Sequence, residues 1–451
     1  MIEKNEYYHV EFIDMTHDGM GVCRIDGFPV FVANALKGES ADIKIVKVNK
    51  SFGFGRLIEL TEKSPFRKEP ICDHFSECGG CNLMHMNYQM QLDFKKHRTK
   101  ETLRKLGKIQ TTVKETVGML NPYYYRNKHV VPFGMRDGRI IAGLYQKRSH
   151  DIVDIKRCYI IPKLMTDLIK YLKTVFEELH IAPYEESDHS GIVRHVVIRN
   201  SFHYDDVSVT IVTRTPELPH RDTLIKRLVG KFPQIVSIVH NLNPDKTNVI
   251  LGKISLPIFG EDFIRDELLG ISYQISHRSF YQVNPAQTEE LYKKAMEYAD
   301  LKATDVVIDA YCGIGTIGLS ASRYVKTVLG VDVVESAIED AKENAERNHI
   351  TNVRFVAGKA EDVIQQWRQY DVDVLFVDPP RKGCERSFLD AIVAMEIPRL
   401  VYISCNVSTL ARDLNFLQSE GYEVIETTPF DMFPQTSHIE TVTKLRRKRQ
   451  D

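Results

Sequence analysis

The thiol of Cys405 stands in Ser404-Cys405-Asn406, directly after the apolar run Leu400-Val401-Tyr402-Ile403. A cysteine at the end of a strand is a candidate nucleophile, because its thiolate is soft and reactive near neutral pH; an isolated cysteine is more often a small buried hydrophobe. Two further apolar runs also end in chemistry. Val372 to Val377 leads into Asp378-Pro379-Pro380-Arg381-Lys382-Gly383, and Asp305 to Asp309 leads into Ala310-Tyr311-Cys312-Gly313-Ile314-Gly315-Thr316-Ile317-Gly318. Glycines at such a turn let the backbone approach a nucleoside with no Cβ in the way. Nineteen residues after Gly313, Asp332 closes the run Val328-Leu329-Gly330-Val331, where a carboxylate can accept both hydroxyls of a ribose.

A second set of soft atoms lies near the N-terminus. Cys72, Cys78 and Cys81 fall within ten residues, Gly79-Gly80 separates the last two, and Cys158 can supply a fourth ligand. Four thiolates suit zinc or an iron–sulfur cluster, and ordinary buried thiols are the third possibility. A radical S-adenosylmethionine enzyme would use a Cys-x3-Cys-x2-Cys triad with an open iron site; the spacing here differs and a fourth cysteine is present. Cys23, Cys312 and Cys384 read as packing residues.

These groups need elements to hold them. From about residue 271 apolar strands alternate with amphipathic helices, the pattern of a mostly parallel, doubly wound sheet, and ligands of such sheets sit at the carboxyl ends of the strands. Asn284-Pro285 reads as a helix start, with Asn as cap and Pro at the first helical position. Residues 61–270 read as a central α+β domain. Within it, residues 123–128, 143–148 and 192–199 form strands that carry cations, a sheet suited to RNA. A helix is expected from about Tyr88 to Leu106, with Tyr88, Leu92, Thr99, Leu103 and Leu106 on its apolar stripe. Seven Lys or Arg between 95 and 108 face one acid, Glu101, an imbalance that predicts an RNA-facing surface. This helix is also a candidate to pack on the catalytic domain. Residues 1–60 alternate apolar and polar positions, with Asp26-Gly27 as a two-residue hairpin turn, and predict a small β-barrel. Phe52 and Phe54, set among Lys47, Lys50 and Arg56, suit either base stacking or the barrel core.

Composition bounds the rest. The 451 residues are enough for about three domains. No apolar run reaches the ~18 residues of a membrane span and the N-terminus lacks the apolar core of a signal peptide, so a soluble cytoplasmic protein, a monomer by default, is expected. Sixty Lys and Arg against 61 Asp and Glu give a net charge of −1, which excludes a uniformly basic coat. Nucleic-acid contacts must then be local patches: 95–108, the central sheet, and the tail from Lys444 to Arg449.

Taken alone, the glycine turn with its acid is equally compatible with NAD. The Asp-Pro-Pro turn, which presents an acid and backbone acceptors to a planar base, points instead to nucleobase methylation with S-adenosyl-L-methionine. Ser404-Cys405-Asn406 with Thr409-Leu410-Ala411-Arg412-Asp413, Phe280-Tyr281-Gln282-Val283-Asn284, Asp378 to Gly383, and Met432-Phe433-Pro434-Gln435-Thr436-Ser437-His438-Ile439-Glu440 resemble the signatures of RNA uracil-5-methyltransferases. The resemblance extends over essentially the whole chain and likens the barrel to the family's OB-like TRAM domain. It implies α/β architecture, a Rossmann-like class I methyltransferase domain over 271–451, and methylation of uridine to 5-methyluridine. It further implies that Cys405 adds to carbon 6 of a flipped-out or loop uridine, that Glu440 removes the carbon 5 proton, and that Gln282, Tyr311, Asp332 and Asp378 bind S-adenosyl-L-methionine beside Gly313 and Gly315. Asp378 can alternatively meet the uracil edge.

The spacing of Cys72, Cys78, Cys81 and Cys158 resembles the 4Fe-4S motif of the ribosomal-RNA branch, which implies 23S rRNA processing, and no DNA partner. In this reading the barrel and the cysteines argue against transfer RNA. A non-catalytic RNA-binding iron–sulfur protein is the rival from another class; such a protein needs neither Cys405 nor Glu440.

Overall fold

The computed structural model describes residues 2–448; Arg449 of the basic tail lies outside the described residues. Near the N-terminus six strands form one sheet, in the order Tyr7–Glu11, Ser40–Val48, Gly53–Glu62, Phe28–Val32, Gly21–Ile25, Asp14–Met15. The expected barrel is a curled sheet with no hydrogen-bonded seam between its edges. Its two edge strands are consecutive in the chain, so residues 7–15 carry the sheet around on itself. Asp26 and Gly27 both adopt positive φ, 49° and 81°, as a two-residue turn of the type that matches strand twist requires. Val10, Phe12, Val30, Val32, Ile43 and Ile45 fill the core. Phe52 and Phe54 stay outside it, half-buried and packed with Phe31 at centroid distances of 5.6 and 6.0 Å.

Seven strands form the central sheet: Ile152–Asp154, Arg139–Tyr145, Lys128–Arg136, Val193–Asn200, Val207–Thr213, Ile235–Leu242 and Ile254–Gly260. Helices Lys163–Glu178 and Arg221–Lys231 supply Leu168, Leu172, Leu224 and Leu228 to the core that also holds Val131, Val196 and Ile198. Two strand expectations shift. Residues 123–127 are irregular, with Tyr124 at φ 56°, and the strand begins only at Lys128; Arg139–Tyr145 ends before Lys147.

The C-terminal half is an eight-stranded sheet in the order Val353–Ala357, Thr327–Asp332, Val306–Ala310, Val374–Val377, Arg399–Ser404, Glu440–Arg447, Tyr422–Phe430, Thr112–Val113. Glu440–Arg447 alone runs antiparallel to its neighbours. Asn284 caps helix Pro285–Ala299 as expected, its side chain accepting from Gln287 N. The hairpin Phe263–Leu268 and Ile271–Ser276 straddles the expected boundary at 270; Ile264, Tyr273 and Ile275 pack into the catalytic core.

Helix Tyr88–Lys105 packs beside this sheet, and three of its cations are engaged by other segments of the chain. Lys95 is fully buried in an ion pair with Asp431, Arg98 donates to Ser437 O at 2.6 Å, Lys96 pairs with Glu115, and Arg104 and Lys105 pair with Glu101. The buried stripe is Gln91, Lys95, Thr99 and Leu103, whereas Leu106 is exposed. The RNA-facing surface predicted here is therefore narrowed: Lys95, Lys96 and Arg98 are engaged by residues 115 and 431–437, while Lys100, Arg104, Lys105 and Lys108 stay exposed around Glu101. Among the described residues no helix is long and apolar enough to cross a membrane.

Candidate active site

A cleft of about 1040 Å³ opens at the carboxyl ends of the parallel strands, and Gln282, Tyr311, Gly313, Asp332, Asp378, Cys405 and Glu440 all line it. Its floor is the glycine turn. After strand Val306–Ala310 the chain passes through positive φ at Tyr311, Gly313 and Gly315 before helix Thr316–Ala321 begins. A Cβ on Gly313 would meet no atom within 4 Å, so this stretch of backbone is open to a ligand. Gly315 differs from the expectation: it is not in the cleft wall, and a Cβ there would lie 2.9 Å from the Phe355 ring. It serves the packing of the turn.

Asp332 accepts from Gly313 N at 3.0 Å and Val334 N at 2.9 Å, which fixes its carboxylate at the strand end. Asp309, which the sequence reading passed over, accepts from Gly318 N at 2.7 Å, while its other oxygen is buried without a partner. Burial pushes the Asp309 carboxyl up to about 8.

Sheet register brings Cys405 and Glu440 together. Ser404 pairs with Thr441 across the antiparallel strands, so the residue after one and the residue before the other emerge side by side. Thr441 Oγ1 donates to Ser404 O at 3.1 Å and closes that end of the ladder. Sequence spacing cannot reveal this pairing, because 35 positions separate the two and only the reversed last strand aligns them.

The residues that follow Cys405 hold the neighbouring loop. Asn406 and Thr409 side chains donate to Arg381 O at 3.0 and 3.2 Å, Arg412 donates to the Lys382 and Cys384 carbonyls, and buried Asp413 accepts from Cys384 N and Tyr402 OH. Gly383, at φ 77°, leaves only 2.6 Å between a notional Cβ and Asp413 Oδ2, so the turn requires glycine.

The opposite wall, residues 431–438, is clamped from outside the domain. Gln91 bonds the backbone and side chain of Gln435, Asn82 bonds Ser437, Tyr125 donates to Pro434 O at 3.0 Å, and Lys95 reaches Phe433 O. Phe433, His438 and Arg381 enter the cleft wall as well.

Electrostatically the cleft is acidic at its centre. Burial, then the Glu440 and Asp378 carboxyls, push the Cys405 thiol up to about 11, with Arg381 opposing them. Burial and Asp378 hold Glu440 well above the usual carboxylate range, and burial raises Asp378 to about 7. Burial thus shifts all three groups toward their protonated forms.

Cys72, Cys78, Cys81 and Cys158 line one small pocket with Phe75, Met84 and Leu144, and all four are free thiols. Gly80 N donates to Cys78 Sγ at 3.3 Å, and a Cβ on Gly79 would lie 2.9 Å from the backbone oxygen of Tyr145, so the close wrap at that position favours glycine. Among the described residues no three His, Cys, Asp or Glu side chains are gathered as they would be around a single ion.

Comparison with known proteins supplies the remaining observation. A family model described as tRNA (uracil-5-)-methyltransferase matches residues 253–448, and a TRAM domain model matches residues 3–58. An uncharacterised RNA methyltransferase of Halalkalibacterium halodurans is 47% identical over 99% of this chain and 98% of its own, and one of Oceanobacillus iheyensis is 45% identical over 98% and 97%. Among solved structures, Pyrococcus abyssi tRNA (uracil-54, C5)-methyltransferase, determined with S-adenosyl-L-homocysteine, superimposes with a TM-score of 0.78 at 27% identity, over 97% of this chain and all of that one. Whole-chain architecture is therefore shared with a transfer-RNA enzyme, so the N-terminal sheet does not argue against transfer RNA.

Proposed function

Because the chain belongs to the RNA uracil-5-methyltransferase family and carries its TRAM domain, we propose that it methylates carbon 5 of uridine in RNA with S-adenosyl-L-methionine, through Cys405 and Glu440. The observation that carries this reading is the register of strands Arg399–Ser404 and Glu440–Arg447, which sets a thiol and a carboxyl side by side in the cleft lined by Gln282, Tyr311, Asp332 and Asp378.

Carbon 5 of uracil is too poor a nucleophile to take a methyl group unaided. The Cys405 thiolate adds to carbon 6, and the resulting enolate makes carbon 5 electron-rich. S-adenosyl-L-methionine supplies an electrophilic methyl on a sulfonium. Glu440 then takes the proton from carbon 5, the carbon–sulfur bond to Cys405 breaks, and the double bond is restored. Asp332 is placed to hold the ribose of the cofactor, and Gly313 leaves room for it. Asp378, which lines the same cleft, would hold either the cofactor or the uracil edge. The target base must leave its stack to reach Cys405.

For the substrate we favour 23S ribosomal RNA, supported by the four cysteines converging on one pocket, whose spacing resembles the ribosomal-RNA branch with its 4Fe-4S cluster. Transfer RNA is the second reading, favoured by the likeness to the Pyrococcus abyssi enzyme. The test is to incubate the protein with S-adenosyl-L-methionine and either RNA, then map 5-methyluridine. Cys405→Ala should keep cofactor binding and lose methylation, and Glu440→Gln should slow turnover by about 10²–10⁴-fold and accumulate an RNA adduct that survives denaturant. Normal methylation by Cys405→Ala would overturn the mechanism, and 5-methyluridine in transfer RNA alone would replace the substrate.

A further inference from the structure

Lys128 and Arg199 sit directly opposite each other on adjacent antiparallel strands of the central sheet. Their side chains share the face opposite to the one where Val131, Val196 and Ile198 meet the helices. That face is turned to the catalytic half: Arg199 is buried and donates from one guanidinium nitrogen to Ser279 O at 2.8 Å, and Ser279 belongs to the cleft wall. The other terminal nitrogen, NH1, is buried with no partner. Arg126 adds a third cation beside them, its Nε donating to Lys128 O at 2.9 Å.

Two like charges facing each other across a ladder destabilise a sheet, and burying a cation without an anion costs more. Neither Lys128 nor Arg199 makes an ion pair among the described residues. Asp266 and Tyr281 act on Arg199 from nearby, but on Lys128 no acid does so: burial, with Arg199 and Arg126 nearby, draws its ammonium down to about 8, so the deficit of negative charge is at Lys128. An arrangement so unfavourable in isolation is explained if a ligand brings the missing anion. The neighbouring wall indicates which one: exposed Phe280 and half-buried Gln282 follow Ser279 along the rim of the cleft, so an anion at Lys128 lies beside the entering nucleotide.

We propose that Lys128, backed by Arg199 and Arg126, is a binding site for a backbone phosphate of the RNA next to the nucleotide that enters the cleft. This rests on the reading that the chain acts on RNA. Lys128 supplies the contact and Arg199 the fixed charge behind it, so the site orients the strand as well as attracting it.

The test measures affinity for a labelled, uridine-containing single-stranded RNA across a salt series, together with affinity for S-adenosyl-L-methionine. Lys128→Ala should bind the RNA about tenfold more weakly at low salt, with the slope of log affinity against log salt shallower by about 0.7. Lys128→Arg should restore both, and cofactor affinity should stay unchanged in each variant. Amine-reactive footprinting of the unmodified protein gives a check that needs no variant: RNA should shield Lys128 from acylation. An unaltered salt slope in Lys128→Ala, or equal labelling of Lys128 with and without RNA, would overturn the site. Those readouts do not depend on turnover, so failure of the wild-type protein to methylate any uridine would instead overturn the functional reading.

Discussion

Cys405, the proposed nucleophile, is a thiol that its surroundings hold toward the unreactive protonated form. Its thiol is raised to about 11 by burial and by the Glu440 and Asp378 carboxyls, with Arg381 and a backbone hydrogen bond opposing them. The sign follows directly: the reactive form is the thiolate, so a raised value leaves the thiol protonated at neutral pH and reactivity grows as pH rises. Alkylation of Cys405 by iodoacetamide, followed by peptide mass spectrometry, should be slow at pH 7 and accelerate about tenfold per pH unit up to pH 9, levelling only near 11. A rate that is flat from pH 7 to 9 would mean the thiolate is already formed without ligand. Glu440 has the matching property: burial and Asp378 raise its carboxyl, and Arg381 is the cation that opposes them.

At the scale of elements, the cleft wall opposite Cys405 depends on a helix that precedes it by some 300 positions. Lys95 is fully enclosed and its only carboxylate is Asp431, at the start of the segment that ends in Glu440. Burial pulls the Lys95 ammonium down and Asp431 opposes it, so the pair stands on their mutual attraction. Lys95→Ala leaves a buried carboxylate uncompensated and should cost about 3–5 kcal/mol in urea unfolding, whereas Lys95→Met combined with Asp431→Leu should recover most of that loss. Equal loss in single and double variants would show that packing, and not charge, dominates. The backbone bonds from Gln91, Asn82 and Arg98 to residues 435–437 complete the clamp, which explains how so long a loop holds a fixed course into the last strand.

On the scale of the whole molecule, the segment carrying three of the cysteines runs straight into that clamp. Asn82 follows Cys81 and bonds both Ser437 and, in the N-terminal sheet, Asp18 O at 2.6 Å. A group bound by the four thiols would thus set the position of residues that touch two other parts of the protein. Protein purified without oxygen should be brown and carry iron and acid-labile sulfide in stoichiometric amount, and Cys158→Ser should lose both. Zinc in place of iron, or neither, would sink the cluster. The N-terminal sheet offers its own surface, since Phe31, Phe52 and Phe54 form an aromatic patch with the Arg148 guanidinium 5.5 Å from the Phe54 ring, a composition that stacks on bases.

Much of this protein is local and therefore legible in one dimension. The turn at Asp26-Gly27, the Asn284 cap, and the strands that end in Gly313, Asp332, Asp378 and Cys405 follow from residue type and short-range pattern, because φ preference, capping and strand alternation act over a few residues. Charge is different. Lys95, Lys96 and Arg98 read as part of a nucleic-acid surface until folding supplies Asp431, Glu115 and the carbonyl of Ser437 as their partners, while Lys128 and Arg199, on strands expected to carry cations, form no ion pair among the described residues. Glu440 likewise acquires its neighbour only when an antiparallel strand slots in beside Arg399–Ser404. A residue's chemistry is carried by its own atoms, but its electrostatic partner is set by pairings between distant segments, and those exist only in the tertiary structure.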